Sequence, residues 1–353
     1  MAFKTAAGYG NLPNGNFSPV IYSKKVQSAF RKTSVIEDIT NSDYFGEIAN
    51  FGDTVRIIKE PEITVQEYAR GTQVTPQDLD DEDFTLVVDK ANYFAFKIDD
   101  IEEAHSHVNF ESMASDRAGY RLKDQFDQEV LGYLSGFKQT ALSTVASTAN
   151  DVKSGTDPVA AGSDGLLASM ELTHGDFSGS GTPANSIAMS SSNASAVATP
   201  LAILNRMSRL LDQQNVDRDG RWVVVDPVFA EELNDENSKL LNNDFAGGQN
   251  AGDILRNGRV VSGLIRGFRV YMSNNLPSIG TGSSTINTNG SGSNFGVIVA
   301  GHDSAVATAS QVEKVETYRD NDSFADIVRG MHLYGRKILR PEALVRAKYN
   351  LYS

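Results

Sequence analysis

Between residues 110 and 137, Ala114, Ala118, Leu122, Phe126, Val130 and Leu134 recur at steps of four, with Phe110, Met113 and Phe137 filling the same broad face. Arg117, Arg121, Lys123, Asp124 and Glu129 lie elsewhere on the wheel. The spacing predicts one helix over 110–137, about 40 Å long at the usual rise per residue. This exceeds the length of an ordinary globular helix, so it should run through the subunit as a spine. Every other element has to be arranged along it.

With 353 residues, 40% of them hydrophobic and 22% charged, the chain has material for two domain-sized cores. No window approaches the roughly 18 consecutive apolar residues of a membrane-spanning helix, and the opening MAFKTAAGYGNLPNG lacks the apolar core of a secretory signal. The expectation is a protein that stays in the cytoplasm where it is made, with no membrane partner. The absence of cysteine removes disulfides, thiolate catalysis and cysteine-ligated metal sites. Stability must come from burial and assembly.

The net charge of −13 is unevenly spread. Residues 1–32 hold Lys4, Lys24, Lys25, Arg31 and Lys32 and no acid; residues 329–353 hold Arg329, Arg336, Lys337, Arg340, Arg346 and Lys348 against Glu342 alone. Each end is thus +5, which leaves −23 for the middle. Such asymmetry suits ends that meet an anionic partner or the acidic middle of a neighbouring copy; solvated faces are the plainer alternative.

Along the chain, the first 50 residues read as an extended arm with one short helix. TVRIIK, EITVQEYA, FTLVVDK and NYFAFKI then form four β-prone runs separated by turn signals, a two-stranded excursion going out and back. Between Glu60 and Asp83 stand eight acids (Glu60, Glu62, Glu67, Asp78, Asp80, Asp81, Glu82 and Asp83) and one base, Arg70. The tip of the excursion is acidic. Residues 141–198 read as loops with a short helix around LLASMEL. Thr199 before Pro200 and Asp226 before Pro227 are N-cap and first-turn pairs for LAILNRMSRLLDQQ and VFAEELND. With the strands WVVV, FRVYMS and FGVIVA these give a compact α+β unit over about 222–302, crossed by the glycine-rich loop SIGTGSSTINTNGSGSN. QVEKVETYRDN and SFADIVRGMHLYGRKILRPEALV close the chain as two extended segments ended at Pro341. Alternation puts Arg329 and Lys337 on one face with Met331 and Leu333, and Arg336 on the other with His332 and Tyr334.

Signals for chemistry are weak. DDIEEAHSHVNF crowds Glu102, His105 and His107, and Glu102 with His105 has the i, i+3 spacing of carboxylate metal sites. Those sites need a second such pair, and no other histidine has that context; a polar lead-in to the spine is the simpler reading. His302, Asp303 and Ser304 are adjacent, but three neighbours in sequence cannot point at one another as a triad requires. The glycine clusters lack the phosphate-loop pattern. Tyr93, Phe94 and Phe96 could stack bases, but few cations flank them and a core role is expected. No cofactor and no enzymatic activity are expected.

The order of arm, acidic two-stranded loop, spine helix, α+β unit with a glycine-rich loop and closing strand ending in L-R-P-E-A-L resembles the major capsid protein of tailed bacteriophages, the α+β Hong Kong 97-type fold, most like that of short-tailed phages. Three stretches carry the likeness: FKIDDIEEAHSHVNFESMASDRAGYRLKDQFDQEVL, GRWVVVDPVFAEEL and SFADIVRGMHLYGRKILRPEALV. The resemblance implies an N-arm at 1–50, an E-loop at 51–98, a peripheral domain at 99–221 and 303–353, and an axial domain at 222–302. It implies pentamers and hexamers closing into an icosahedral shell around double-stranded DNA, a virion component assembled in the host bacterial cytoplasm, and no turnover. Partners implied are other copies of the chain, a separate scaffolding protein, a portal protein, a decoration protein and non-specific contact with packaged DNA. The E-loop of one subunit would then lie over its neighbour. Arg70, Asp78, Asp80, Asp81, Glu82 and Asp83 would stand on one side of that contact and Arg329, Arg336 and Lys337 on the other. An encapsulin-like nanocompartment shares the fold and is the alternative; a metal-dependent enzyme on Glu102, His105 and His107 is the outside one.

Overall fold

The computed structural model describes residues 34–41, 54–58, 63, 65–71, 73, 76–77, 83–100, 110–136, 139–141, 144–145, 166–178, 186–190, 196–234, 255–256, 259–260, 264–279, 295–321 and 323–351. A four-residue helix, α1 (Ile36–Ile39), is followed by two antiparallel strands, β1 (Thr54–Ile58) and β2 (Asp83–Val87), and then by the ten-residue β3 (Lys90–Asp99). The expected spine is α2 (Phe110–Ser135). Its burial is wider than a single apolar stripe. The last turns bury Val130, Leu131, Tyr133 and Leu134 on several sides, and Asp124, Asp127 and Gln128 are buried with them. Gly136 ends the helix at φ +77°, the left-handed conformation usual after a helix end.

The stretch expected as loops supplies two short strands to the larger sheet, β4 (Glu171–Leu172) and β5 (Ile187–Met189). Then come α3 (Pro200–Gln213), β6 (Arg221–Val225) and α4 (Pro227–Leu233). Both predicted caps form: Thr199 Oγ1 accepts from the Ala202 N–H, and Asp226 Oδ1 accepts from the Phe229 N–H at 3.1 Å. Two strands, β7 (Arg269–Met272) and β8 (Phe295–His302), complete the interior of this unit. Residues 265–268 turn tightly, with Arg266 and Gly267 both at positive φ, as a two-residue hairpin loop requires. The closing segments are long strands, β9 (Val306–Arg319) and β10 (Ala325–Ile338), and the chain does not stop pairing at Pro341: after a 3-10 turn it forms β11 (Leu344–Leu351).

Two sheets organise these elements. In the nine-stranded sheet, β11 lies between β8, to which it runs antiparallel, and β4 and β5, to which it runs parallel; β8 pairs with β6, and β6 with β7 in parallel. The sheet of the 222–302 unit therefore extends to strands from 171–189 and 344–351. One face packs α3 and α4 through Ile203, Leu204, Met207, Phe229 and Leu233 against Val223, Val225, Val270, Ile298 and Tyr349. The other face packs the end of α2 and α1 through Val130, Leu131, Leu134, Ile36 and Ile39 against Trp222, Val224, Val297, Val299 and Leu344. Both faces are covered, which is why Arg221–Val225 is buried at every position.

The second sheet has the order β9, β10, β3. NYFAFKI, expected as the returning leg of the excursion, pairs along its whole length with the closing strand instead, from Ala325↔Asp99 to Tyr334↔Lys90. EITVQEYA, expected as a strand, forms none over its described residues. Only β1 and β2, among the described residues, form the two-stranded ribbon.

Candidate functional site

The three-stranded sheet shows what the basic closing strand is for. Successive residues of β10 face opposite sides. On the inner side, Tyr334 donates its hydroxyl proton to a Glu129 carboxylate oxygen of α2, Phe126 meets His332 and Tyr334 edge to face, and Arg336 donates to the Glu129 backbone carbonyl while lying 4.6 Å over the Tyr133 ring. Burial and the Glu129 carboxylate both push the Tyr334 hydroxyl to higher pKa. Arg336, expected to face a neighbouring subunit, is thus turned to the spine helix of its own chain.

On the outer side stand Ile327, Arg329, Met331, Leu333 and Lys337, opposite Tyr93 and Lys97 of β3 and Glu316 and Tyr318 of β9. Arg329 donates to Glu316 at 2.8 Å and stacks 4.8 Å over Tyr318; the Glu316 carboxylate holds its guanidinium above the usual arginine range. Tyr93 is 80% exposed on this face. Alternation sends Phe94 and Phe96 to the inner side instead, where they are half-buried and Phe94 lies over Gly330, so none of the three takes the core position expected. The face is mixed: exposed aromatics and Met331 among cations whose charges are already partly met.

The basic C-terminal stretch is largely committed inside the subunit. Arg346, 1% exposed, donates to Glu171 at 2.8 Å and to the Ser135 carbonyl at 2.9 Å, and Lys348 lies 3.2 Å from the same Glu171 carboxylate. A buried charge is tolerated only when paired and hydrogen-bonded. These two residues are therefore joints between α2, β4 and β11, and Arg340 is left exposed.

At the far end of the sheet the β9–β10 turn is built rigidly. Arg319 pairs with Asp100, whose carboxyl it holds below the usual carboxylate range, and with Asp326; Asp320 accepts from Lys97 and from Ser323 Oγ at 2.6 Å each. Phe324 is presented outward from this frame.

The excursion carries a further group of exposed apolar side chains. Ile63, Val65 and Tyr68 stand in solvent, Val65 at 92%, on a stretch that forms no strand, and Arg70 is exposed beside them. Asp78, Asp80, Asp81 and Glu82 lie outside the described residues, and of Asp83 only the backbone pairing with Ile58 is described. Exposed large apolar side chains at this density mark an interaction surface.

The candidate catalytic groups do not assemble. Glu102, His105 and His107 lie outside the described residues. His302 Nε2 donates to the Asp219 carbonyl at 2.7 Å, so Nδ1 is the acceptor and receives the Ser304 N–H at 3.2 Å; Asp303 turns away to pair with Arg269. The trio is a turn lock. Among the described residues no group of three or more His, Cys, Asp or Glu could hold a metal ion, and no helix is long and apolar enough to cross a membrane.

A long helix braced by a hairpin sheet, beside a larger sheet covered on both faces, is the mixed α+β arrangement found in phage capsid subunits. The structure of Mycobacterium phage Che8 matches with a TM-score of 0.67 at 24% identity, over 94% of this chain and 97% of that one. The cyanophage Pam1 capsid matches at 0.67 with 14% identity over 99% of both chains, and the cyanophage P-SCSP1u capsid at 0.63 with 19% identity over 95% and 93%. At these identities the likeness is one of fold. The sequence model described as phage capsid protein matches residues 59–347, and the chain belongs to that family. No curated protein sequence matches it. Membership makes it a structural component of a virion capsid and points away from catalysis.

Proposed function

We propose that the chain is the repeating subunit of an icosahedral shell of the Hong Kong 97 type, assembling as pentamers and hexamers around double-stranded DNA in the host bacterial cytoplasm. Its parts would be an N-arm at 1–50, an E-loop at 51–98, a peripheral domain at 99–221 and 303–353, and an axial domain at 222–302. The observation that carries this reading is the solvent-facing apolar stretch around Ile63, Val65 and Tyr68, in a chain that belongs to a family of capsid proteins. A subunit with such a stretch completes its apolar burial on another copy.

In this arrangement the excursion of one subunit lies on the outer face of its neighbour's three-stranded sheet. Ile63, Val65 and Tyr68 would meet Tyr93 and Met331, and the acidic residues Asp78, Asp80, Asp81, Glu82 and Asp83 would meet Arg329 and Lys337, with Arg70 at the same contact. Each exposed ion pair is worth about 0–1 kcal/mol, but it recurs at every interface and fixes register. Arg336 supports the same sheet from beneath. With Arg346 and Lys348 held internally, packaged DNA would meet basic residues of the N-arm, in salt-dependent and sequence-independent contacts. A scaffolding protein, a portal protein and a decoration protein are the further partners this reading implies.

Electron microscopy of the purified protein, alone and with its scaffolding partner, tests the proposal. Closed shells or five- and six-membered rings are the expected outcome. A small oligomer that persists under every condition would overturn it.

A further inference from the structure

Among the described residues, one buried acid on the spine helix is held by hydrogen bonds alone. Asp127 is 1% exposed, and both its oxygens are spent on the N-terminal segment: Ser34 Oγ donates to Oδ1 at 2.8 Å and the Val35 N–H to Oδ2 at 3.3 Å. The neighbouring charges are otherwise engaged. Lys123, one turn earlier, pairs with Glu37 of α1 at 2.7 Å. Asp124 is held by Arg121 at 3.0 Å, by Gln128 and by Asn275. Glu129, Tyr334 and Arg336 form the separate contact with β10 described above. The strands packed on this part of α2 present apolar side chains, Val297, Val299 and Ile338 among them.

We propose that Asp127 is a proton-operated latch for the N-terminal segment, holding residues 34–41 on the spine helix more tightly in mild acid than at neutral pH. The segment is otherwise seated by Val35, Ile36 and Ile39 in the core, by the Thr40–Thr308 hydroxyl pair at 2.9 Å, and by Asn41 bonded to the backbone of Val306 and Thr308. Docking it removes the carboxyl from water. Burial pushes that carboxyl from 3.8 up to about 6, against the hydrogen bonds from Ser34 and Val35 and the charge of Lys123, which favour ionisation, while Asp124 adds to the rise. A group whose pKa is raised on docking binds its proton in the docked state. The added grip is therefore complete below the undocked value and is lost as pH rises through about 6. Protonation does not break the contact, because the Ser34 hydroxyl can turn from donor to acceptor while Oδ2 still receives the Val35 N–H. It removes only the buried charge. The latch lies within one subunit and does not depend on the shell proposal.

Hydrogen exchange of the Val35–Thr40 amides in the full chain, corrected for intrinsic pH dependence, reads the latch directly. Between about pH 3 and pH 7, the docked-to-undocked ratio should change on the order of a hundredfold, while the Trp222–Val225 amides report the rest of the fold. Asp127→Asn keeps both hydrogen bonds without a charge and should remain protected at both extremes. Ser34→Ala removes a donor that favours the charged form and should move the midpoint to higher pH. Equal protection of the wild-type segment at both extremes would overturn the proposal, as would a pH dependence that survives in Asp127→Asn or a midpoint unmoved in Ser34→Ala.

Discussion

Asp226 does two jobs that compete. It caps α4 and accepts the hydroxyl proton of Tyr349 from β11, while burial pushes its carboxyl up to about 6 against both of those hydrogen bonds. The same burial, with the Asp226 charge, pushes the Tyr349 hydroxyl upward. A carboxyl whose folded pKa is raised contributes stability below the unfolded value and loses it as pH rises through the folded one, so the subunit should weaken between about pH 4 and 6. Asp226→Asn can still cap, and urea denaturation at pH 5 and pH 7 should show a smaller difference between the two midpoints than in wild type. Tyr349→Phe should cost about 1–3 kcal/mol in the same assay, because a buried acceptor loses a donor. The caps at Thr199 and Asp226 were legible in the sequence, since a polar residue before proline is a local device. The partner of Asp226, 123 residues away, was not. Nor was Asp127: an aspartate close to Lys123 and Asp124 belongs to a helix's charged face until tertiary contacts bury it.

At the level of elements, two glycines of the spine make a contrast. A Cβ on Gly136 would fall 1.7 Å from Arg346 Nη1, at a backbone conformation that side chains avoid. Gly136→Ala should displace the buried Arg346–Glu171 pair and cost several kcal/mol, read as a large fall in the thermal midpoint. Gly119 has open space around it in mid-helix, and Gly119→Ala should stabilise by about 0.5–1 kcal/mol. The spine was readable because Phe110, Met113, Ala114, Ala118, Leu122 and Phe126 mix three- and four-residue steps, which share one broad helix face but would fall on both faces of a strand. The pairing of strands was less so. β3 and β2 have similar composition, and nothing local tells one to join β10 and the other β1. Alternation within β10 could be read directly, and it separated Arg329 from Arg336 correctly because a strand's two faces follow from its backbone alone.

For the whole molecule, Val65→Asp places a charge on a side chain that touches little in its own subunit. The subunit should keep its circular dichroism and thermal midpoint within about 0.5 kcal/mol of wild type, yet fail to enter large particles in sedimentation. Loss of folding instead would show that the stretch stabilises the subunit itself. The family was legible from the order of elements, but the extent of the larger sheet was not, because β4, β5 and β11 are short runs far from 222–302 in sequence. That sheet also sets a timetable for synthesis. β11 lies inside it, between β8 and the pair β4 and β5, and it is the last of the described strands to leave the ribosome. Until it arrives, the apolar edge of β8 has no neighbour on that side, and an interrupted chain cannot complete the body on which its surfaces are mounted. A copy ended before β11 should therefore fail to join finished ones, which co-expression of a chain truncated at residue 343 would check.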